Sequence, residues 1–158
     1  MPGYGIQPAE GGGGLLPWSW AEAKLLSSHD YWLCSVCPDG RPHVMPVWGV
    51  WMADALWFSS AAGSRKARNL LADSRCTGAT DDALNPVVVE GVADVRRGAD
   101  DRRAYLDASN AKYSVDYGVD FLDGVANLLF QVQPLTAFGM LHDDFSGSPT
   151  RWRFAPGE

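Results

Sequence analysis

Three cations crowd one short stretch of the chain. Arg65, Lys66 and Arg68 directly follow Gly63-Ser64, and Ala67, Leu70 and Leu71 recur at helical spacing behind them. Ser64 is the natural N-cap of the helix this spacing predicts. Cations in a first turn oppose the helix dipole, which favours acids there. They make sense if an anion sits between them and the free backbone N–H groups, because helix N-termini bind phosphate readily. The same residues also fit a capped surface helix with solvated side chains.

Just upstream lies a second pattern. Arg41 to Trp51 alternates as a strand does, yet both of its faces are largely apolar. Val44, Pro46, Trp48 and Val50 fall on one side; His43, Met45, Val47 and Trp51 fall on the other. A surface strand of an antiparallel sheet would show one polar face. One face is therefore expected to meet a core, the other to be covered by a ligand or a second subunit. Pro46 has no N–H, so the pairing is expected to break there. Such a gap, lined by Met45 and Trp48, is a bed for a flat ring; a doubly buried strand with a bulge is the other reading.

Other chemistry is sparse. His29, His43 and His142 stand in no metal-ligand or nucleophile spacing, and His43 reads as a satisfied barrel histidine. No catalytic side chain is assigned. Cys34 and Cys37 are three apart on an extended segment and point to opposite faces, without the helix that would lower a thiol pKa. No second C-x-x-C exists, so no metal is expected. Asp81-Asp82 and Asp143-Asp144 read as solvated loop acids, and neither a P-loop nor G-x-G-x-x-G is present.

The elements that must position these residues follow in order. Residues 1–14 are Gly-rich and end in four glycines, which predicts a disordered tail ahead of one domain over 15–158. Pro17 to His29 predicts a helix, with Ser19 and Glu22 as a capping box and Ala21, Leu25 and Leu26 as its packing stripe. Strands are predicted over Tyr31–Val36, Arg41–Trp51, Ala55–Ser60, Arg75–Asp81, Pro86–Val95, Leu128–Met140 and Arg151–Phe154. Pro38-Asp39-Gly40 reverses the chain between the first two. The long sixth strand is expected to bend at Pro134. Asp100 to Lys112 is predicted helical, and Ser114 to Asn127 has no clean period and reads as mobile or partly helical. Many short strands with two or three helices make a small, mainly β barrel.

Composition narrows the rest. With 158 residues the chain has room for one core. Its net charge of −6 argues against nucleic acid as a partner. No apolar run approaches the roughly 20 residues of a membrane span, and no leader is evident, so a cytoplasmic location is expected. Seven tryptophans point to an interface or a ligand site.

The runs PDGRPHVMPVWGVW, ALWFSS and GSRKARNL, with VVEGVA from Val88 and TRWRF from Thr150, resemble the flavin/deazaflavin oxidoreductase superfamily. These are the split β-barrel, pyridoxamine 5′-phosphate oxidase-like proteins. The SRKARNL form and the WRF ending are most similar to the branch that uses the deazaflavin F420. The resemblance implies a six- or seven-stranded antiparallel split β-barrel of the FMN-binding kind, working as a homodimer. It implies that Val44, Met45, Pro46, Val47 and Trp48 flank the cofactor ring. Ser59, Ser60, Ser64, Arg65, Lys66 and Asn69 would hold its ribityl chain and phosphate, and Trp152 and Arg153 would reach the partner's site. The implied activity is hydride transfer between F420 and a small electrophilic organic substrate such as an enone. An FMN-dependent oxidoreductase on the same barrel, and a carrier of F420, FMN or haem, are the alternatives.

Overall fold

The computed structural model describes residues 3–8, 11 and 14–155; the rest of the predicted Gly-rich tail lies outside them. The elements are α1 (Trp18–Ser27), β1 (Asp30–Val36), β2 (Pro42–Met52), β3 (Ala55–Ala61), α2 (Arg65–Ala72), β4 (Arg75–Thr80), β5 (Val87–Arg96), α3 (Ala99–Tyr113), β6 (Asn127–Gly139) and β7 (Thr150–Arg153). Short 3₁₀ turns cover Val119–Leu122 and His142–Asp144.

All strand pairs are antiparallel, in the order β3-β2-β1-β4-β5-β6-β7. A further pairing of β3 with β6 closes six strands into a barrel and leaves β7 outside the ring. The expected fold class is thus observed. Inward-facing residues such as Tyr31, Leu33, Val47, Phe58, Val89, Phe130 and Val132 fill the barrel, with Ala67 and Leu70 of α2 against them. A second, smaller core lies outside the wall. There Val50, Ala55, Trp57 and Leu129 pack with Tyr105, Leu106 and Leu122. So α3 is held to the outer face of β2 and β3, and β3 is buried on both sides.

The β6 bend falls where Pro134 predicts it: the β5–β6 register shifts between Glu90 and Gly91, opposite Pro134. Gly91 is required there, since a Cβ would lie 2.3 Å from the Gln133 carbonyl oxygen.

Three expectations are corrected. The α1 capping box does not form: Pro17 occupies the cap, no side chain caps the helix, and Ser19 lies inside its first turn. A proline suits this end because its missing N–H would be unpaired anyway. Leu26 is also not part of the packing stripe; it is exposed, while Ala21 and Leu25 are buried. The ladder does not break at Pro46 either, since Pro46 sits in continuous register opposite Trp32 of β1.

Candidate functional site

The barrel is split between β2 and β3. Their pairing covers only Gly49–Met52 with Ala55–Phe58. Beyond it, β2 runs back to Pro42 and β3 runs on to Ala61, each with a partner strand on its other side only. Two free edges therefore flank a notch, and β3 leads through Gly63 into α2.

Which backbone groups face the notch follows from Gly49. Its N–H donates to the Tyr113 hydroxyl at 2.8 Å, and that hydroxyl lies 2.5 Å from the His29 carbonyl, to which it donates. Lys112 Nζ donates to the Gly49 carbonyl at 2.7 Å. The Tyr113 hydroxyl thus stands in for the rung that His29 and Gly49 would otherwise form. Gly49 turns its polar groups toward β1, so by alternation Val44, Pro46 and Trp48 turn theirs toward the open edge. A planar ligand with a hydrogen-bonding rim finds there a row of free donors and acceptors. The Trp48 ring stacks on Tyr113 with centroids 4.5 Å apart and planes 4° from parallel.

Helix α2 begins as its sequence predicts. Ser64 Oγ accepts from the Ala67 N–H at 3.1 Å and meets Ser60 Oγ at 2.8 Å. Arg65 and Arg68 are exposed and Lys66 is half-buried. Among the described residues, none of the three forms an ion pair. Arg65, Arg68 and Asn69 line a cavity of about 290 Å³ with Cys37 and Arg41. Asp39 shares that cavity, but its carboxylate is held by Arg41 at 2.8 Å, which keeps it well below the usual carboxylate range.

The predicted residues divide into groups. Val44, Met45 and Trp48 are about half exposed, at 51%, 46% and 48%, and Pro46 is exposed beside them. The Val47 side chain points into the barrel core, so only its backbone reaches the wall surface. Ser59 is fixed by Tyr105, whose hydroxyl takes the Ser59 N–H at 3.1 Å. Ser60 is buried against Ser64. Asn69 is buried too, its amide donating to Ser35 Oγ at 3.0 Å and to Cys37 Sγ at 3.6 Å. Trp152 and Arg153 are not brought to this site within one chain. Trp152 lies opposite Ala137 and Ser60 opposite Leu128, nine residues apart on β6, a separation of up to about 30 Å. Trp152 instead packs edge-on against Trp18 with centroids 5.5 Å apart.

Sequence reasoning missed Tyr105, Lys112 and Tyr113. Their spacing of seven and eight residues along α3, with Ser109 between, is the signal that marks one face of that helix. Burial pushes the Tyr113 hydroxyl up to about 12 and pulls the Lys112 ammonium below its ordinary value, against the opposing pull of Asp30 and Asp81. Both groups are structural: they pin α3 to the strand that borders the notch. His43, read as satisfied, has a buried Nδ1 with no partner among the described residues. It belongs to the stretch of β2 that pairs with β1 alone, opposite buried Ser35.

A flavin or deazaflavin fits these residues. The unpaired cations at α2 and the open backbone edge are the features that an anionic, ring-bearing cofactor would satisfy.

No curated protein matches the chain. Solved structures do match in fold. A conserved hypothetical protein from Mycobacterium tuberculosis is 22% identical, covers 80% of this chain and 86% of its own, and gives a TM-score of 0.68. An F420 reductase is 23% identical, with 73% of this chain and 94% of that one covered and a TM-score of 0.60. A haem-binding protein from Mycobacterium smegmatis is 20% identical over 84% of this chain and 62% of that one, with a TM-score of 0.59. Residues 21–142, most of the chain, match the description of pyridoxamine 5′-phosphate oxidase, and with the closed six-stranded barrel and its split wall this places the chain in the pyridoxamine 5′-phosphate oxidase-like family.

Proposed function

We propose that this protein is an oxidoreductase that transfers a hydride between F420 and a small electrophilic organic substrate, of which a conjugated enone is the type. The observation that carries the reading is the cluster Arg65, Lys66 and Arg68 at the start of α2, without an ion-pair partner among the described residues and next to the split in the barrel. FMN ends in one phosphate, whereas F420 continues past its phosphate into carboxylates, and three cations suit the longer anion.

The cofactor supplies the hydride chemistry when bound. The chain supplies its position. Ser59, Ser60, Ser64, Arg65 and Lys66 hold the ribityl chain and the phosphate. The backbone of Val44, Pro46 and Trp48 hydrogen-bonds the ring rim, and Met45 and Trp48 cover its faces. Asn69 holds the α2 terminus in place through Ser35 and Cys37, and so positions the cations indirectly. Trp152 and Arg153 serve the site of a second copy. That copy would cover the outer face of β1 and β2, where Trp32, Val36, Val44 and Trp48 leave apolar area exposed.

Titration of the purified protein with F420 and with FMN, followed by reduction of a cyclohexenone under F420H2, tests the reading. Tight F420 binding with turnover supports it. FMN binding alone would replace it with the flavin reading, and F420 binding without turnover of any enone or quinone would make the protein a carrier.

A further inference from the structure

A second cationic cavity lies on the same rim of the barrel, on the far side of β6. It measures about 210 Å³ and is bounded by the end of β5, the first turns of α3 and the segment after the Val119–Leu122 turn. Arg97 and Arg102 line it. Arg102 Nη1 donates to the Leu122 carbonyl at 2.9 Å, and Arg97 Nη1 donates to the Gly124 carbonyl at 3.4 Å. A guanidinium has five donors, so each keeps most of its donors free. Among the described residues, neither forms an ion pair.

Two of the acids nearby, Asp123 and Asp101, already have hydrogen-bond partners. Asp123 shares the cavity, but its Oδ1 accepts from the N–H groups of Val125, Ala126 and Asn127 at 2.9, 2.8 and 3.1 Å. Those bonds hold its carboxyl below the ordinary range. Asp101 is paired with Arg96 at 3.0 Å, and Arg96 rests over the Trp57 ring. Among the described residues three arginines, Arg96, Arg97 and Arg102, and one acid, Asp123, line this small half-open space, in a chain of net charge −6.

We propose that this cavity is a binding site for the phosphate or carboxylate group of a small organic anion, gripped between Arg97 and Arg102. Arginine pairs suit these groups because the planar fork matches their oxygens. The site stands on its own residues, whichever cofactor the notch takes. Arg96 is opposite Leu129 and Ser60 opposite Leu128. The backbones of Ser60 and Arg96 are therefore about two strand spacings apart, on the order of 10 Å. A molecule held here by its anionic end would lie beside the α2 site rather than in it.

Titration of the full-length protein with inorganic phosphate, followed by amide chemical shifts, tests this. Leu122, Asp123 and Gly124 should shift on saturation in the wild type and in Lys66→Ala. They should not shift in Arg97→Ala, whose exposed side chain makes one long bond and is dispensable for folding. Arg102→Lys should weaken binding at least fivefold. Shifts confined to α2 in the wild type, or an unchanged response in Arg97→Ala, would overturn the proposal. Failure of F420 to bind would leave these shifts intact, so the two readings fail separately.

Discussion

At the scale of single residues, charge and hydrogen bonding separate binding roles from structural ones. Lys66 is half-buried in the first turn of α2 and has no ion-pair partner among the described residues. Lys66→Ala should weaken F420 binding about tenfold, the loss of one charged hydrogen bond, with the melting temperature of the cofactor-free protein unchanged. Unchanged affinity would remove Lys66 from the site. Tyr113 makes the opposite case. Its hydroxyl satisfies the Gly49 N–H, and Tyr113→Phe leaves that donor buried and unpaired. The expected cost is about 2 kcal/mol in chemical denaturation, with cofactor affinity reduced only through the looser β2 edge. A purely stabilising role predicts that the two losses scale together across Tyr113 variants.

At the scale of elements, the α2 cap and the β5–β6 register shift carry clear costs. Ser64→Ala removes the acceptor for the Ala67 N–H and the partner of Ser60, so about 1 kcal/mol should be lost. Gly91→Ala drives a Cβ into the Gln133 carbonyl, and about 3 kcal/mol or failure to fold is expected. Most of these elements were legible beforehand, because period-two alternation and Gly, Pro and Asp turns mark strands locally. The Ser64 cap and the bend opposite Pro134 were legible for the same reason. The α1 cap was misread because Ser19 and Glu22 have the right spacing two residues too late, behind a proline that already caps the helix. The site was legible only in part. Charge clusters show in sequence, but the Tyr113 bridge joins residues 64 positions apart, and no local pattern encodes where α3 lands.

At the scale of the molecule, titration and association are collective. Burial raises the Cys76 thiol to about 12, and burial likewise raises Tyr31 and Tyr113. Between pH 9 and 12 the unfolded chain releases these protons while the folded chain keeps them. Stability should therefore fall as pH rises through that window, and Tyr113→Phe should flatten the upper part of the fall. Lys112 acts in the other direction, since its lowered value lets the folded state lose a proton before the unfolded one does. The outer face of β1 and β2 should bury itself in a dimer. Val44→Glu, with no contact in the core, should shift sedimentation toward the monomer and weaken cofactor binding at the same time; a monomeric wild type would remove the shared site.

The open edge of β2 also bears on what the protein must keep away. An unpaired strand flank next to bare apolar side chains invites any extended peptide to dock and continue the sheet. Pro46 sits in the middle of that flank and turns a position without a hydrogen toward it, so an incoming backbone would find a gap in its ladder while a compact ring needs only the neighbours on either side. Replacing it with threonine should make the ligand-free protein aggregate on storage, and saturating cofactor should suppress that loss.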